Sequence, residues 1–117
     1  GDIDMPFIDC RVTEKLTEEK REALRAKFGK AIAILHKPES YLMVGFTEGC
    51  ALYFAGKKLE KGAYVAVSLY GNASSADCGK MTGAVCAILE EELSIPGRAV
   101  YVTYHPVSDW GWDGANF

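Results

Sequence analysis

The sequence has little excess charge of either sign, and this argues against two classes of partner. Its 13 Lys and Arg residues face 16 Asp and Glu residues, which gives a formal net charge of −3 and a pI near 5.4. Proteins that bind nucleic acids or anionic membranes use clustered basic residues. We therefore expect no nucleic-acid partner and no membrane partner.

Long apolar runs are also missing. No stretch approaches the roughly 18 apolar residues of a membrane-spanning helix, and the first residues lack the basic and apolar regions of a signal peptide. The sequence predicts a cytoplasmic protein, with release without a signal peptide as the alternative.

Residues that commonly bind metals are few. The two histidines, His36 and His105, lie far apart in the sequence, and the four cysteines include no C-x-x-C pair. Zinc sites and thioredoxin-like sites need ligands or thiols at close, regular spacing. The sequence therefore predicts free thiols, no metal site and no cofactor.

The first half of the 117-residue chain has the pattern of a β-α-β unit. A strand is predicted over residues 7–12, and Thr17 can cap the helix that follows. One face of this helix is apolar, with Leu24, Phe28, Ala31 and Leu35 at helical spacing. Pro38 ends the helix, and residues 41–44 form a second strand. A short strand over residues 50–54 and a solvated turn over residues 57–62 follow.

The second half repeats this plan. A strand is predicted over residues 64–70, a helix capped by Ser74, Ser75 or Asp77 follows, and the last long strand covers residues 100–104. Pro38 and Pro96 differ by 58 positions, and the same offset places Phe7 on Val65 and Val44 on Val102. The fold class is therefore α+β, with duplicated β-α-β units, a four-stranded sheet and two helices on one face of it.

Two helices on one face leave the other face of the sheet uncovered. Residues 41–44 and 100–104 read as apolar on both faces, and an exposed apolar sheet is an association surface. The sequence therefore predicts self-assembly, without giving the number of subunits.

The dipeptide Met5-Pro6 precedes the first strand. Aminopeptidases remove a Met that precedes Pro, so translation from Met5 would yield a protein that begins with a secondary amine. An α-amino group titrates near about 8, and burial beside a cation lowers that value. Such a proline would be a general base at neutral pH. The alternative is an ordinary proline at a strand edge.

The same β-α-β-β-α-β order occurs in the RNA-recognition motif. Lys61 to Val67 falls where that motif carries its stacking aromatic residues, but Ala63 occupies the first aromatic position. The net charge of −3 is also unfavourable for RNA binding, so the RNA-recognition motif is the disfavoured alternative.

Three segments together carry a resemblance to a known family. They are residues 5–8 (MPFI), residues 37–44 (KPESYLMV) and the C-terminal part with Val100-Tyr101-Val102 and residues 111–117 (GWDGANF). In order and spacing the chain resembles the macrophage migration inhibitory factor family of the tautomerase superfamily, most closely its protozoan and bacterial members.

The resemblance implies a homotrimer in which three sheets form a barrel and the active sites lie between subunits. It also implies a keto–enol tautomerase that acts on small aromatic keto or enol acids such as phenylpyruvate-like or dopachrome-like compounds. Residues 1–5 would be a leader or expression remnant ahead of Pro6, and residues 6–117 a single tautomerase-like domain. An attached leader turns the Pro6 amine into an amide, so that form is expected to be inactive.

By position in the family's motifs, Pro6 is the catalytic base, Lys37 binds the substrate carboxylate and lowers the pKa of the proline, and Tyr101 is the phenol from the adjacent subunit. Tyr70 contributes a backbone N–H to the carboxylate, and Thr103 replaces an Asn found in many members. The aromatic end of the substrate site is assigned to Phe7, Trp110, Trp112 and Phe117.

A second function of a different class is compatible with the same trimer. It is a cytokine-like mediator that binds a host receptor protein and needs no catalysis. Tautomerase activity of protein that begins at Pro6 distinguishes the enzyme from the non-catalytic mediator.

Overall fold

The computed structural model describes residues 5–117. In chain order, the elements are β1 (Pro6–Val12), α1 (Glu18–Ala31), β2 (Met43–Thr47), β3 (Tyr53–Phe54), β4 (Lys57–Lys58), β5 (Ala63–Tyr70), α2 (Ser75–Leu93), β6 (Val100–Val107), β7 (Gly111–Trp112) and β8 (Ala115–Asn116). Short 3₁₀ turns cover Ile32–Leu35, Glu39–Tyr41 and Gly97–Ala99. Of the predicted leader, residues 1–4 lie outside the described part of the chain.

The four long strands form one mixed sheet with the order β2-β1-β5-β6. Within each half of the chain the two strands are parallel, as in the pairing of Ile8 with Val44 and of Val65 with Val102. The two halves meet through the antiparallel pair β1 and β5, in which Pro6 lies opposite Leu69. This confirms the predicted duplicated β-α-β architecture.

Both helices begin at side-chain caps. The Thr17 hydroxyl accepts the N–H of Lys20 at 3.1 Å, and the Ser74 hydroxyl accepts the N–H of Asp77 at 3.1 Å. Each bond satisfies one of the unpaired N–H groups of a first helical turn. Of the three candidate caps for α2, Ser74 is therefore the one used.

The internal repeat needs a correction of one residue in its first part. The buried residue that pairs with Val44 is Ile8, and the buried residue that pairs with Val102 is Val65. The counterpart of Val65 in the first strand is therefore Ile8 and not Phe7, which makes the offset between β1 and β5 57 residues. The offset of 58 holds only after the helices. The reason is that α1 ends in a tighter 3₁₀ turn, whereas α2 stays α-helical through Leu93.

One face of the sheet packs against the helices and forms the core. Alternate strand residues on this face, such as Ile8 on β1 and Val67 on β5, are fully buried together with Phe28 on α1 and Val85 on α2. The apolar stripe predicted for the first helix lies in this core.

The opposite face is more polar than predicted. Asp9 and Arg11 on β1, Ser68 on β5, and Thr103 and His105 on β6 occupy it, because the pleat directs every second residue to this side. The expectation of an apolar uncovered face, made from residues 41–44 and 100–104, was therefore wrong at Thr103 and does not describe the face as a whole.

Strand boundaries also differ from the prediction: the short strand predicted over residues 50–54 covers only Tyr53–Phe54, and the last long strand continues to Val107. Tyr41 belongs to a 3₁₀ turn, and β2 runs instead from Met43 to Thr47, since Pro38 is followed by a helical turn. Residues 57–58, predicted as part of a turn, form the second strand of a hairpin whose loop residues Ala55 and Gly56 both have positive φ. No helix among residues 5–117 is long and apolar enough to cross a membrane.

Candidate functional site

A cleft of about 620 Å³ lies where β1 and β2 begin and β6 ends. Pro6 and Phe7 contribute one side and the C-terminal segment with Trp110 and Trp112 the other. The remaining lining residues are Met5, Ser40, Tyr41, Leu42, Met43, Ser68, Val107 and Gly111. Four of the residues predicted for the site are thus brought together by the fold.

Pro6 is the first residue of β1 and is buried. In this chain its nitrogen is part of the peptide bond to Met5, which is itself only 3% exposed. The Met5 carbonyl accepts the backbone N–H of Tyr70 at 2.9 Å, which extends the pairing of β1 and β5 by one residue. The nitrogen of Pro6 therefore lies at the end of the sheet, directly beside the Tyr70 backbone.

Lys37 reaches the same end of the sheet. Its ammonium donates a hydrogen bond to the carbonyl oxygen of Tyr70 at 3.0 Å, and the residue is only 8% exposed. His36, with φ of 61°, ends the preceding 3₁₀ turn in a left-handed conformation, and the chain then turns back at Pro38. The Lys37 ammonium thus binds the backbone of Tyr70, the residue that follows the strand partner of Pro6, Leu69.

Aromatic rings form the outer wall beside the cleft. The ring centroid of Trp112 lies 5.9 Å from that of Tyr41 and 6.4 Å from that of Phe117, and Phe117 lies 5.7 Å from Tyr70. The hairpin β7–β8, with Asp113 and Gly114 both at positive φ in its loop, carries these C-terminal rings to the wall. The wall offers flat apolar surface to an aromatic ligand.

Tyr101 and Thr103 lie elsewhere on the sheet. On β5, Tyr101 pairs with Tyr64, whereas Pro6 pairs with Leu69. Tyr64 and Leu69 are five residues apart, so Tyr101 lies about 17 Å along the strand direction from Pro6. Its ring is 65% exposed and lies 5.8 Å from that of Phe54.

The Thr103 hydroxyl is engaged with other groups of the uncovered face. It is 2.8 Å from the hydroxyl of Tyr64 and 2.8 Å from Nε2 of His105. Within one chain, neither Tyr101 nor Thr103 reaches the cleft.

Metal ligands do not cluster in the described structure. Residues 5–117 contain no group of three or more His, Cys, Asp or Glu side chains arranged to hold a metal ion. The four cysteines are free, as predicted. Burial raises the pKa of the Cys10 thiol to about 12, so this side chain stays protonated at neutral pH.

Sequence comparison assigns the chain to a family. The sequence profile of macrophage migration inhibitory factor matches residues 5–117. The chain belongs to the macrophage migration inhibitory factor family. This membership also displaces the RNA-recognition alternative.

Members of the same family are among the most similar solved structures. MIF2 of Leishmania major is 32% identical with a TM-score of 0.90, and the match covers 97% of each chain. The macrophage migration inhibitory factor homologue of Prochlorococcus marinus is 26% identical with a TM-score of 0.84, covering 95% of this chain and 98% of that one. The Toxoplasma gondii macrophage migration inhibitory factor is 25% identical with a TM-score of 0.84, covering 95% and 99%. Among proteins with curated descriptions, none matches the chain.

Several residues of the cleft were not predicted from the sequence of this member of the family. Tyr41, Met43 and Ser68 are examples that line it. Tyr41 stood within the segment that carries the family resemblance but was interpreted only as a strand residue. Met43 and Ser68 lie beside Phe7 in the sheet register, a proximity that no local pattern indicates.

Proposed function

We propose that the chain, when its N-terminus is Pro6, is a keto–enol tautomerase of small aromatic keto or enol acids. The observation that carries the proposal is that three features lie at one end of the sheet. These are Pro6 in the cleft, the Lys37 ammonium 3.0 Å from the carbonyl oxygen of Tyr70, and the aromatic wall beside the cleft.

Each feature matches one need of the reaction. An exposed secondary amine at Pro6 would remove a proton from the carbon next to the substrate carbonyl, and the carbonyl oxygen would gain a proton as the enol forms. A buried lysine favours an anionic substrate and, by charge repulsion, lowers the pKa of a neighbouring amine. Rings at Phe7 and Trp112 suit an aromatic side chain on that acid.

The same proposal includes a homotrimer with sites between subunits. Tyr101 is 65% exposed and remote from Pro6 in its own chain, so its phenol would serve the cleft of a neighbouring subunit and stabilise the developing enol oxygen. β2 and β6 are both edge strands, which leaves their outer backbone groups available for pairing with another copy. Residues 6–117 would form the tautomerase-like domain, and residues 1–5 a leader.

The direct test compares phenylpyruvate turnover by two proteins, residues 6–117 and residues 1–117, after mass spectrometry has verified both N-termini. We expect turnover only in the shorter protein, because a tertiary amide has no basic lone pair. Equal turnover by both would exclude Pro6 as the base. A trimeric, folded but inactive shorter protein would favour the non-catalytic, receptor-binding alternative.

The shared site can be tested by mixing subunits. The 1–117 protein supplies Tyr101 but no amine, whereas 6–117 with Tyr101→Phe supplies the amine but no phenol. Refolding the two together at equal amounts should restore about a quarter of the sites if each cleft uses a neighbour's residue. If the two residues act within one chain, no site is restored.

A further inference from the structure

The backbone carbonyl of Met5 accepts a hydrogen bond from a backbone N–H beside the cleft. Tyr70 is the last residue of β5, and its N–H is donated to the Met5 carbonyl oxygen at 2.9 Å. Met5 is 3% exposed, and it also lines the cleft. An amide N–H forms one good hydrogen bond, so any ligand oxygen that needs this donor competes with Met5.

The position of that carbonyl oxygen is chemically informative. It belongs to the same peptide unit as the Pro6 nitrogen, so standard geometry places the two atoms about 2.2 Å apart. The Lys37 ammonium binds the carbonyl of the same Tyr70 residue at 3.0 Å. An acceptor at this point therefore has an N–H donor, a nearby cation and the proline nitrogen around it, which is the environment of a carboxylate.

We propose that residue 5 is an internal inhibitor whose carbonyl oxygen occupies the position of a substrate carboxylate oxygen. The inference rests on the proposed function and specifies how its site is regulated. Cleavage before Pro6 would then have two effects at once: it creates the amine, and it releases the Tyr70 N–H for an anionic ligand. The longer protein fails to bind aromatic carboxylates; it does not merely bind them without turnover.

The experiment measures binding separately from catalysis. The probe is 3-phenylpropanoate, which has a ring and a carboxylate but no keto group to tautomerise. Amide hydrogen exchange of Tyr70 is followed by NMR in the 1–117 and 6–117 proteins, with and without the probe. All described strands and helices begin at or after Pro6, so removal of residues 1–5 leaves each of them intact.

In the 1–117 protein we expect a protected Tyr70 amide and affinity for the probe at least tenfold weaker than that of 6–117. In the 6–117 protein the Tyr70 amide should exchange faster and become protected again when the probe binds. The Val67 amide, in the middle of β5, is the internal control and should stay protected in every sample.

A substitution separates the carbonyl of residue 5 from its side chain. Met5→Gly in the 1–117 protein keeps the carbonyl and removes the side chain from the cleft wall. Continued failure of this variant to bind the probe supports the carbonyl as the inhibitor. Binding as tight as in 6–117, or a Tyr70 amide unaffected by removal of residues 1–5, would overturn the inference.

The two proposals fail in different ways. If 6–117 binds the probe and protects the Tyr70 amide but does not turn over phenylpyruvate, the tautomerase function is refuted and the inhibitory contact stands. If 6–117 is active while 1–117 binds the probe equally well, the inhibitory contact is refuted and the function stands.

Discussion

Replacement of Lys37 by Ala in the 6–117 protein gives a quantitative test of the anion site. The ammonium is buried and hydrogen-bonded 3.0 Å from the Tyr70 carbonyl, so solvent screens it little. Loss of a charge-assisted contact costs about 1.5–3 kcal/mol. We therefore expect kcat/KM for phenylpyruvate to fall roughly ten- to hundredfold, mainly through KM.

The pH profile should change in a defined direction. A nearby cation disfavours protonation of the Pro6 amine, so removal of Lys37 should raise the pKa of that amine. The base acts only when unprotonated, and a higher pKa shifts the acidic limb of the kcat/KM profile to higher pH.

Two controls separate electrostatics from folding in this test. Lys80→Ala removes an exposed lysine from α2 and should leave kinetics and profile unchanged. The methyl ester of phenylpyruvate lacks the carboxylate charge, so the Lys37→Ala effect on KM should largely disappear with it. A folded Lys37→Ala protein with unchanged kinetics and an unchanged profile would refute the anion-site reasoning and leave the lysine a structural role at the Tyr70 carbonyl.

Four further outcomes are expected. Light scattering of the 1–117 protein should give about three times the 12.8 kDa of one chain, and a monomer mass would contradict the shared site. Gly29→Ala should raise the melting temperature slightly, because the added methyl group would meet only the half-exposed Glu39 side chain, which can move aside, while Ala improves helix propensity. A lower melting temperature that recovers in a Glu39→Ala background would contradict this expectation. The Cys10 thiol, with its pKa raised from about 9 to about 12, should resist iodoacetamide at pH 8 until the protein unfolds. Because the unfolded thiol ionises first, stability should fall as pH rises above about 9, and Cys10→Ala should reduce this fall in urea titrations.

The helices could be predicted almost completely because their signals are local. A hydroxyl at Thr17 or Ser74 followed by an apolar stripe is sufficient to locate a capped helix, and the structure has both. Boundaries were wrong where the backbone left regular geometry. The 3₁₀ turn after Pro38 removed Tyr41 from the predicted strand and placed it in the cleft wall.

The polarity of the uncovered face was mispredicted for one local and one non-local reason. Thr103 already interrupts the apolar segment 100–104, and β6 continues beyond that segment to Val107, which adds His105 to the same face. How far a strand extends depends on the neighbour it pairs with, and β5 supplies that neighbour as far as Tyr70. Burial of an apolar face is thus a weaker argument for assembly here than the exposed Tyr101 ring and the two edge strands.

The candidate site shows a similar limit. Motif positions located four residues that line the cleft, Pro6, Phe7, Trp110 and Trp112. The contact between the Met5 carbonyl and the Tyr70 N–H involves only backbone atoms, so no residue type encodes it and no substitution pattern would reveal it. It follows from register alone, since Pro6 opposite Leu69 requires Met5 opposite Tyr70. Any residue placed before Pro6 in this register carries a carbonyl to the same donor, and inhibition should therefore depend on the presence of residue 5 far more than on its identity.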